Sequence, residues 1–309
     1  MSKKICYLFP GQGAQFVGMG KDLYDNYEET RLIFKEIKDV LPDNILSIMF
    51  EGSEETLKQT IYTQPAIFLH SIFVLNIIEK REQIRPTFVC GHSVGEYAAL
   101  VAASVLSIRD AAYLVSNRAK FMDEEARKTE GTMAAVIGLD DEIIIESCRE
   151  TQGVCIPANF NSPGQVVISG ERQAVEKTSQ ILKDKGAKRV IPLVVSGAWH
   201  SPLMKKAEEN LKGLIEKVVF KKPECFVVSN VSAEPLDNEN ILKENLKVQI
   251  TSSVQWAKSM KNIMNNNVDL FIEMGPGNVL SGLLKRIDKD KKAISISKIE
   301  DIKNLGEVL

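Results

Sequence analysis

The stretch FVCGHSVGEYAALVAASVL, residues 88–106, decides the fold. Its first three residues, Phe88, Val89 and Cys90, read as a short buried strand. Residues 96–106 read as a helix with almost no polar side chain, hence a buried one. Between them, GHSVG sets a serine two positions from a glycine on either side, the pattern of a sharp strand-to-helix turn with an exposed hydroxyl. The helix N-terminus behind that turn offers unpaired N–H groups and the positive end of a macrodipole, a site for a developing oxyanion. A glycine-rich turn carrying an ordinary serine is spelled the same way. The strand before it and the helix after it favour a nucleophilic Ser93.

A nucleophilic serine needs a base, and the chain holds three histidines. His70 lies in the apolar helical run AIFLHSIFVLNII and reads as a packed core residue. His92 adjoins Ser93, and neighbours on a tight turn point different ways; it is placed to line a pocket rather than to serve that hydroxyl. His200 follows the β-rich run RVIPLVVSGAW and precedes Ser201 and Pro202, which puts it at a strand end 107 residues after the serine. By elimination His200 is the expected base. No Asp or Glu stands in a comparably marked position between Ser93 and His200, so a Ser–His dyad, its ring held by a backbone or amide oxygen, is the simpler expectation.

The surrounding pattern is α/β. Apolar strands at residues 5–9, 88–90, 226–229 and 270–274 alternate with helices, as in a parallel sheet. The middle of the chain differs. Strands at 132–139, 154–161, 165–170 and 188–195 and helices at 140–151 and 171–186 follow the order β-α-β-β-α-β of a ferredoxin-like unit, with Asp140 a plausible helix cap. The expected division is residues 1–129 with 197–309 as the core and 130–196 as the insertion. Ser93 belongs to the larger part and His200 follows the smaller, so the site is expected in the cleft between them.

Composition narrows the function. A net charge of -2 implies no general affinity for nucleic acid. Five scattered cysteines without a CxxC pair support neither a zinc site nor a disulfide framework, and point to a reducing cytoplasm. The N-terminal apolar stretch is too short for a signal peptide, and the best apolar run, residues 66–78, is too short and too polar for a membrane span. GQGAQFVGMG, residues 11–20, fails as a dinucleotide fingerprint because position 16 is Phe16, and fails as a phosphate loop because Gly20-Lys21 is followed by Asp22. What remains is a strand-end loop carrying Gln12 and Gln15, where a substrate carbonyl could be met. EMGPGNVL, residues 273–280, reads as a turn shaping the cleft wall.

Arg118 stands on a helix face otherwise formed by Ala111, Leu114, Val115, Phe121 and Met122. A guanidinium there must be paired, since an unpaired buried charge costs several kcal/mol. Two readings fit: a structural ion pair or snorkelling side chain, or a bidentate clamp for a substrate carboxylate.

Taken in order, FPGQGAQ, GHSVGEYAAL, SNRAKFM, ANFNSPGQVVISG, VSGAWHSPLM, VSNVSAEP and VQITSSVQW resemble the malonyl-CoA:acyl carrier protein transacylase family over nearly the whole chain. The resemblance implies an α/β-hydrolase-like core with an inserted ferredoxin-like subdomain. It makes Ser93 the nucleophile and His200 the base, with Arg118 binding the malonyl carboxylate. It assigns the oxyanion hole to the backbone N–H groups of Gln12 and Val94, and the orienting of His200 to the carbonyl of Gln249. Asn159 and Asn161 match positions near the pantetheine arm, and Met122 and His92 are expected in the substrate pocket. Where the family has phenylalanine before the histidine, this chain has Trp199, a larger ring near the acyl α-carbon. The implied reaction carries malonyl from malonyl-CoA to acyl carrier protein, in support of fatty acid biosynthesis and without a cofactor or metal. Lysine-rich segments 183–189 and 285–292 are candidates for steering an acidic carrier protein. A free-standing acyltransferase of a polyketide synthase, a serine esterase or thioesterase, and a non-catalytic carrier-binding module are the alternatives.

Overall fold

A computed structural model describes residues 3–82 and 84–307. Met1, Ser2, Val308 and Leu309, the outer ends of the division expected above, lie outside the described residues. Among the described residues ten strands follow in order: β1 (Ile5–Phe9), β2 (Phe88–Gly91), β3 (Gly131–Ile137), β4 (Cys155–Ser162), β5 (Gln165–Glu171), β6 (Arg189–Pro192), β7 (Phe226–Val228), β8 (Pro235–Leu236), β9 (Leu270–Met274) and β10 (Ala293–Ile296). They form a six-stranded sheet ordered β10-β9-β1-β2-β7-β8 and a four-stranded sheet ordered β4-β5-β3-β6.

The larger sheet is parallel from β10 to β7; only β8 pairs antiparallel, at the edge. β1 and β9 are buried along their whole length, which is why they read as near-continuous apolar runs rather than alternating ones, interrupted in β9 only by Glu273. The two edge strands β8 and β10 are absent from the sequence reading. One is two residues long, and the other is only half-buried through Ala293, Ile294 and Ser295, so neither carries a strong periodic pattern.

Every pairing in the smaller sheet is antiparallel. With the helices Asp141–Glu150 and Arg172–Asp184 between its strands, its order is that of a ferredoxin-like unit. Several boundaries move. β6 stops at Pro192, not at residue 195. Asp140 sits at the cap position of its helix, but its side chain makes no capping hydrogen bond. The second of these helices ends at Asp184 with Lys185 as its C-cap, and Gly186 takes φ 96° to turn the chain back toward β6.

Two further corrections concern the core. The helix after the serine is Gly95–Ala102 and does not continue to residue 106. Ser104 takes φ 60°, and the N–H groups of Val105 and Leu106 return to the Leu100 carbonyl. Residues 103–106 stay apolar because this closing turn is buried apart from Ser104. The apolar run read at residues 66–78 is part of a longer helix, Thr60–Arg81, which by length and composition could cross a membrane (22 residues, with a mean hydropathy of 1.5 over its most apolar 18-residue window). Here 83% of its most apolar window is packed inside the protein, so it is the central core helix, apolar on every face. Phe68, Ile72 and Phe73 are essentially inaccessible there, and each such side chain contributes roughly 1.5–3 kcal/mol by leaving water. His70 is equally buried, its Nε2 2.8 Å from the Ser297 carbonyl, and burial pulls its pKa down to about 4.

Candidate active site

β2 ends at Gly91, and the chain turns through Ser93 into the helix Gly95–Ala102. Only glycine fits on either side. A Cβ on Gly91 would lie 2.0 Å from the Gly95 carbonyl carbon, and one on Gly95 would lie 2.1 Å from the Phe9 carbonyl oxygen. Ser93 itself takes φ 53°, a left-handed backbone that costs a non-glycine residue ~1–3 kcal/mol. Asn230, just beyond β7, holds this turn. Its Oδ1 accepts from the Ser93 N–H at 2.6 Å, and its Nδ2 donates to the Gly91 carbonyl at 2.5 Å.

His200 is also left-handed, at φ 57°, and is 2% exposed. Its Nε2 lies 2.7 Å from Ser93 Oγ, and its Nδ1 lies 3.0 Å from both the Gln249 and the Ser252 carbonyl oxygens. Two carbonyls can be met only by an N–H, so the proton resides on Nδ1 and Nε2 presents a lone pair to the serine hydroxyl. Burial, and then the nearby Arg118 charge, push the His200 pKa down to about 3. The ring is therefore neutral at physiological pH and free to take a proton. His92 makes no bond to Ser93; its Nε2 meets Asn161 Oδ1 at 2.9 Å.

Arg118 projects from the helix Ile108–Ala126 and is 1% exposed. Its partners are all neutral: Gln64 Oε1 at 2.5 Å, Ser93 Oγ at 3.0 Å and Gln249 Oε1 at 3.1 Å. The Tyr97 ring lies 5.9 Å from the guanidinium carbon, and the Nε–H has no acceptor among the described residues. Burial lowers the Arg118 pKa, yet a guanidinium stays protonated in proteins. Among the described residues no carboxylate lies within 4.0 Å of it, so the structural ion pair is not what holds it.

These groups open onto a cavity of about 260 Å3. It brings together Gln12, His92, Ser93, Val94, Arg118, Met122, Asn159, Asn161, Trp199 and His200, while Gln249 lies behind it. One side comes from the smaller sheet through Met133, Ala135, Gln165 and Val167, and the chain after β6 adds Leu193 and Val195. β4 is joined to the segment that holds His200: the Phe160 N–H donates to the Val254 carbonyl at 2.9 Å, and the Val254 N–H to the Ala158 carbonyl at 2.8 Å. The loop after β1 is pressed against the serine turn, since a Cβ on Gly11 would meet the His92 carbonyl oxygen at 2.5 Å. Among the described residues the backbone N–H groups of Gln12 and Val94 donate to no protein acceptor, which leaves them available to an oxygen in the cavity.

Two sequence expectations fail here. Gln15 does not face the cavity; its Oε1 folds back to accept from the Gly13 N–H at 2.7 Å. The turn at residues 273–280 does not form the cavity wall. Glu273 instead accepts from the Leu280 and Ser281 N–H groups and caps the helix Val279–Ile287, while Gly275 packs on Pro10. Gln64 and Asn230 were missed. Gln64 is the amide just before Pro65 in an otherwise apolar helix, a visible oddity; Asn230 lies inside the quoted VSNVSAEP, where nothing local reveals that it reaches Ser93. Among the described residues no group of three or more His, Cys, Asp or Glu is placed to hold a metal ion.

A strained serine bonded to a neutral histidine, beside two free N–H groups and an unneutralised guanidinium, suits transfer of an acidic acyl group. The family model for the acyl transferase domain matches residues 6–304, which include both sheets except Ile5 and every residue of the cavity. That match defines the class: this is an acyl transferase. A curated malonyl CoA-acyl carrier protein transacylase from Bacillus subtilis is 44% identical over 302 residues, covering 97% of this chain and 95% of its own. An acyl carrier protein S-malonyltransferase from Vibrio cholerae O1 superposes with a TM-score of 0.94 at 37% identity, over 98% of this chain and 99% of its own. A malonyl-transacylase solved in complex with a type II polyketide synthase acyl-carrier protein superposes with a TM-score of 0.95 at 36% identity, over 99% of this chain and 100% of its own. The chain belongs to the malonyl CoA-acyl carrier protein transacylase family.

Proposed function

We propose that this protein transfers malonyl from malonyl-CoA to the phosphopantetheine thiol of acyl carrier protein through a malonyl ester on Ser93. The observation that carries the reading is the contact set of one hydroxyl: Ser93 Oγ meets His200 Nε2 at 2.7 Å and the Arg118 guanidinium at 3.0 Å. His200 takes the hydroxyl proton as Oγ attacks the thioester carbonyl carbon. The negative charge passes to the former carbonyl oxygen, held by the Gln12 and Val94 N–H groups, each such donor being worth about a hundredfold or more in rate. The carbon–sulfur bond then breaks, and His200 returns the proton to the departing CoA thiol. In the second half the carrier-protein thiol gives its proton to His200 and attacks the ester, and Ser93 leaves and is reprotonated. Each step balances within the two substrates and these side chains, so no cofactor is required.

Arg118 receives the malonyl carboxylate, with Met122, His92 and Trp199 shaping the acyl pocket and Asn159 and Asn161 lining the approach of the pantetheine arm. Residues 130–196 form an inserted unit; all four strands of the smaller sheet fall inside it and all six of the larger sheet outside it. We assign the enzyme to the cytoplasm, in keeping with five free cysteines, and to fatty acid biosynthesis. The complex of one relative with a polyketide carrier supports a second setting for the same chemistry. Brief exposure to malonyl-CoA, then peptide mass spectrometry, tests the reading. One malonyl group is expected on the peptide holding Ser93; none, or modification at a cysteine, overturns it. Comparison of fatty-acid and polyketide carrier proteins as acceptors separates the two settings.

A further inference from the structure

Glu96 follows the serine turn directly and is 1% exposed, yet the reaction as written does not use it. Its carboxylate accepts from Gln249 Nε2 at 2.6 Å and from the Asn230 N–H at 3.3 Å. Gln249 Nε2 also donates to the Ser93 carbonyl at 3.0 Å, while its Oε1 accepts from Arg118 Nη2 at 3.1 Å. These contacts leave one orientation for the amide. Flipped, it would set an oxygen against the Glu96 carboxylate and the Ser93 carbonyl, and an NH2 against the guanidinium. A carboxylate thus stands one amide away from Arg118 and fixes that amide without neutralising the guanidinium directly. A direct ion pair would occupy the donors that the acyl carboxylate needs.

We propose that Glu96 is a positioning residue: through the side-chain amide of Gln249 it holds the Arg118 guanidinium oriented and unneutralised for the anionic end of the acyl group. The inference rests on the proposed function. It adds a dependence on the ionised state of Glu96. Burial raises the Glu96 pKa to about 7, against the lowering effect of its hydrogen bonds. The charged or titratable groups facing it are Arg118 from the helix Ile108–Ala126, Tyr97 on its own helix and Cys90 on β2. Burial pushes the Tyr97 and Cys90 pKa values up, so both stay neutral in this range. β7 and the turn beyond it present only Ser229 and Asn230. Below about pH 7 the carboxyl gains a proton and ceases to be a charged acceptor for Gln249, so malonyl recognition weakens as the pH falls.

The test compares wild type, Glu96→Gln and Glu96→Asp with malonyl-CoA and acetyl-CoA between about pH 5.5 and 8.5. Losing one charge-assisted hydrogen bond at this remove should raise KM for malonyl-CoA about tenfold in Glu96→Gln, with kcat nearly kept. Acetyl transfer should change less than about twofold, since acetyl offers no carboxylate to Arg118. Wild type should lose malonyl kcat/KM below about pH 7, and Glu96→Gln should lack that limb. Glu96→Asp keeps the charge and reads the same limb if the Gln variant fails to fold. Equal losses for both substrates, or an acid limb unchanged in Glu96→Gln, would overturn the proposal. Wild type that takes no malonyl at Ser93 would overturn the proposed function and this inference with it; normal wild-type malonylation beside unaltered variants overturns this inference alone.

Discussion

Replacing Arg118 with alanine separates recognition of the acyl group from the chemistry on it. In the free protein the guanidinium is buried, touches three neutral oxygens, and has no carboxylate within 4.0 Å among the described residues. Binding malonyl completes an ion pair in a site already stripped of water. Removing one member of such a buried pair costs about 3–5 kcal/mol, because the other charge is left desolvated and alone. At about 1.4 kcal/mol per tenfold, malonyl kcat/KM should fall between about a hundredfold and a few thousandfold. Acetyl carries no charge to strand, so its transfer should hold or improve. Lysine keeps the charge but offers a point donor instead of a planar fork, so Arg118→Lys should recover only part of the loss. The assay is acyl transfer from malonyl-CoA and acetyl-CoA to holo acyl carrier protein, with acylation of Ser93 followed by intact mass. Arg118 also donates to the serine hydroxyl, at 3.0 Å. If that bond were its main contribution, both acyl groups would lose rate equally, and the clamp would be refuted.

His200→Ala should lose nearly all transfer while circular dichroism shows a retained fold, whereas His92→Ala, which removes a pocket-wall ring that meets Asn161 and packs on Trp256 but not the base at Ser93, should cost far less; the reverse ranking would mean the wrong histidine was chosen. His200 also predicts a trend in stability. Its folded pKa is depressed to about 3 from an ordinary 6.5, so the unfolded chain gains a proton that the buried ring refuses, and stability should fall as the pH drops below about 6.5. Thermal unfolding of His200→Gln should show a shallower acid loss than wild type, and parallel curves would contradict the assignment. Trp199 fills the pocket beside His200 with its ring edge against Gly197; Trp199→Ala should admit methylmalonyl-CoA while malonyl KM stays within about threefold, and continued exclusion of methylmalonyl would show that another group sets the limit.

Much of this molecule can be read from its chain because the deciding interactions are local. A glycine two residues before and after Ser93, a strand on one side and a buried helix on the other specify the turn, since backbone atoms approach where a Cβ would otherwise stand. Burial on both faces makes β1 a continuous apolar run and β9 one broken only by Glu273, and the β-α-β-β-α-β order of the smaller sheet follows from patterns of a few residues each. Arg118 shows itself as one charge on an apolar helix face.

What the tertiary structure alone decides is who meets whom across long separations. Asn230 reaches the Ser93 N–H over 137 residues and Gln249 reaches Glu96 over 153, and no periodicity encodes such a meeting. The chain also does not reveal that Arg118 has, among the described residues, three neutral partners and no carboxylate within 4.0 Å, that Gln15 turns back on its own loop, or that Glu273 caps a helix instead of facing the cleft. Local sequence fixes backbone turns and apolar faces through steric and burial constraints acting over a few residues. The direction of a polar side chain depends on which donors and acceptors the packed elements bring within about 3 Å of it, and that is settled only once the two sheets close on one another.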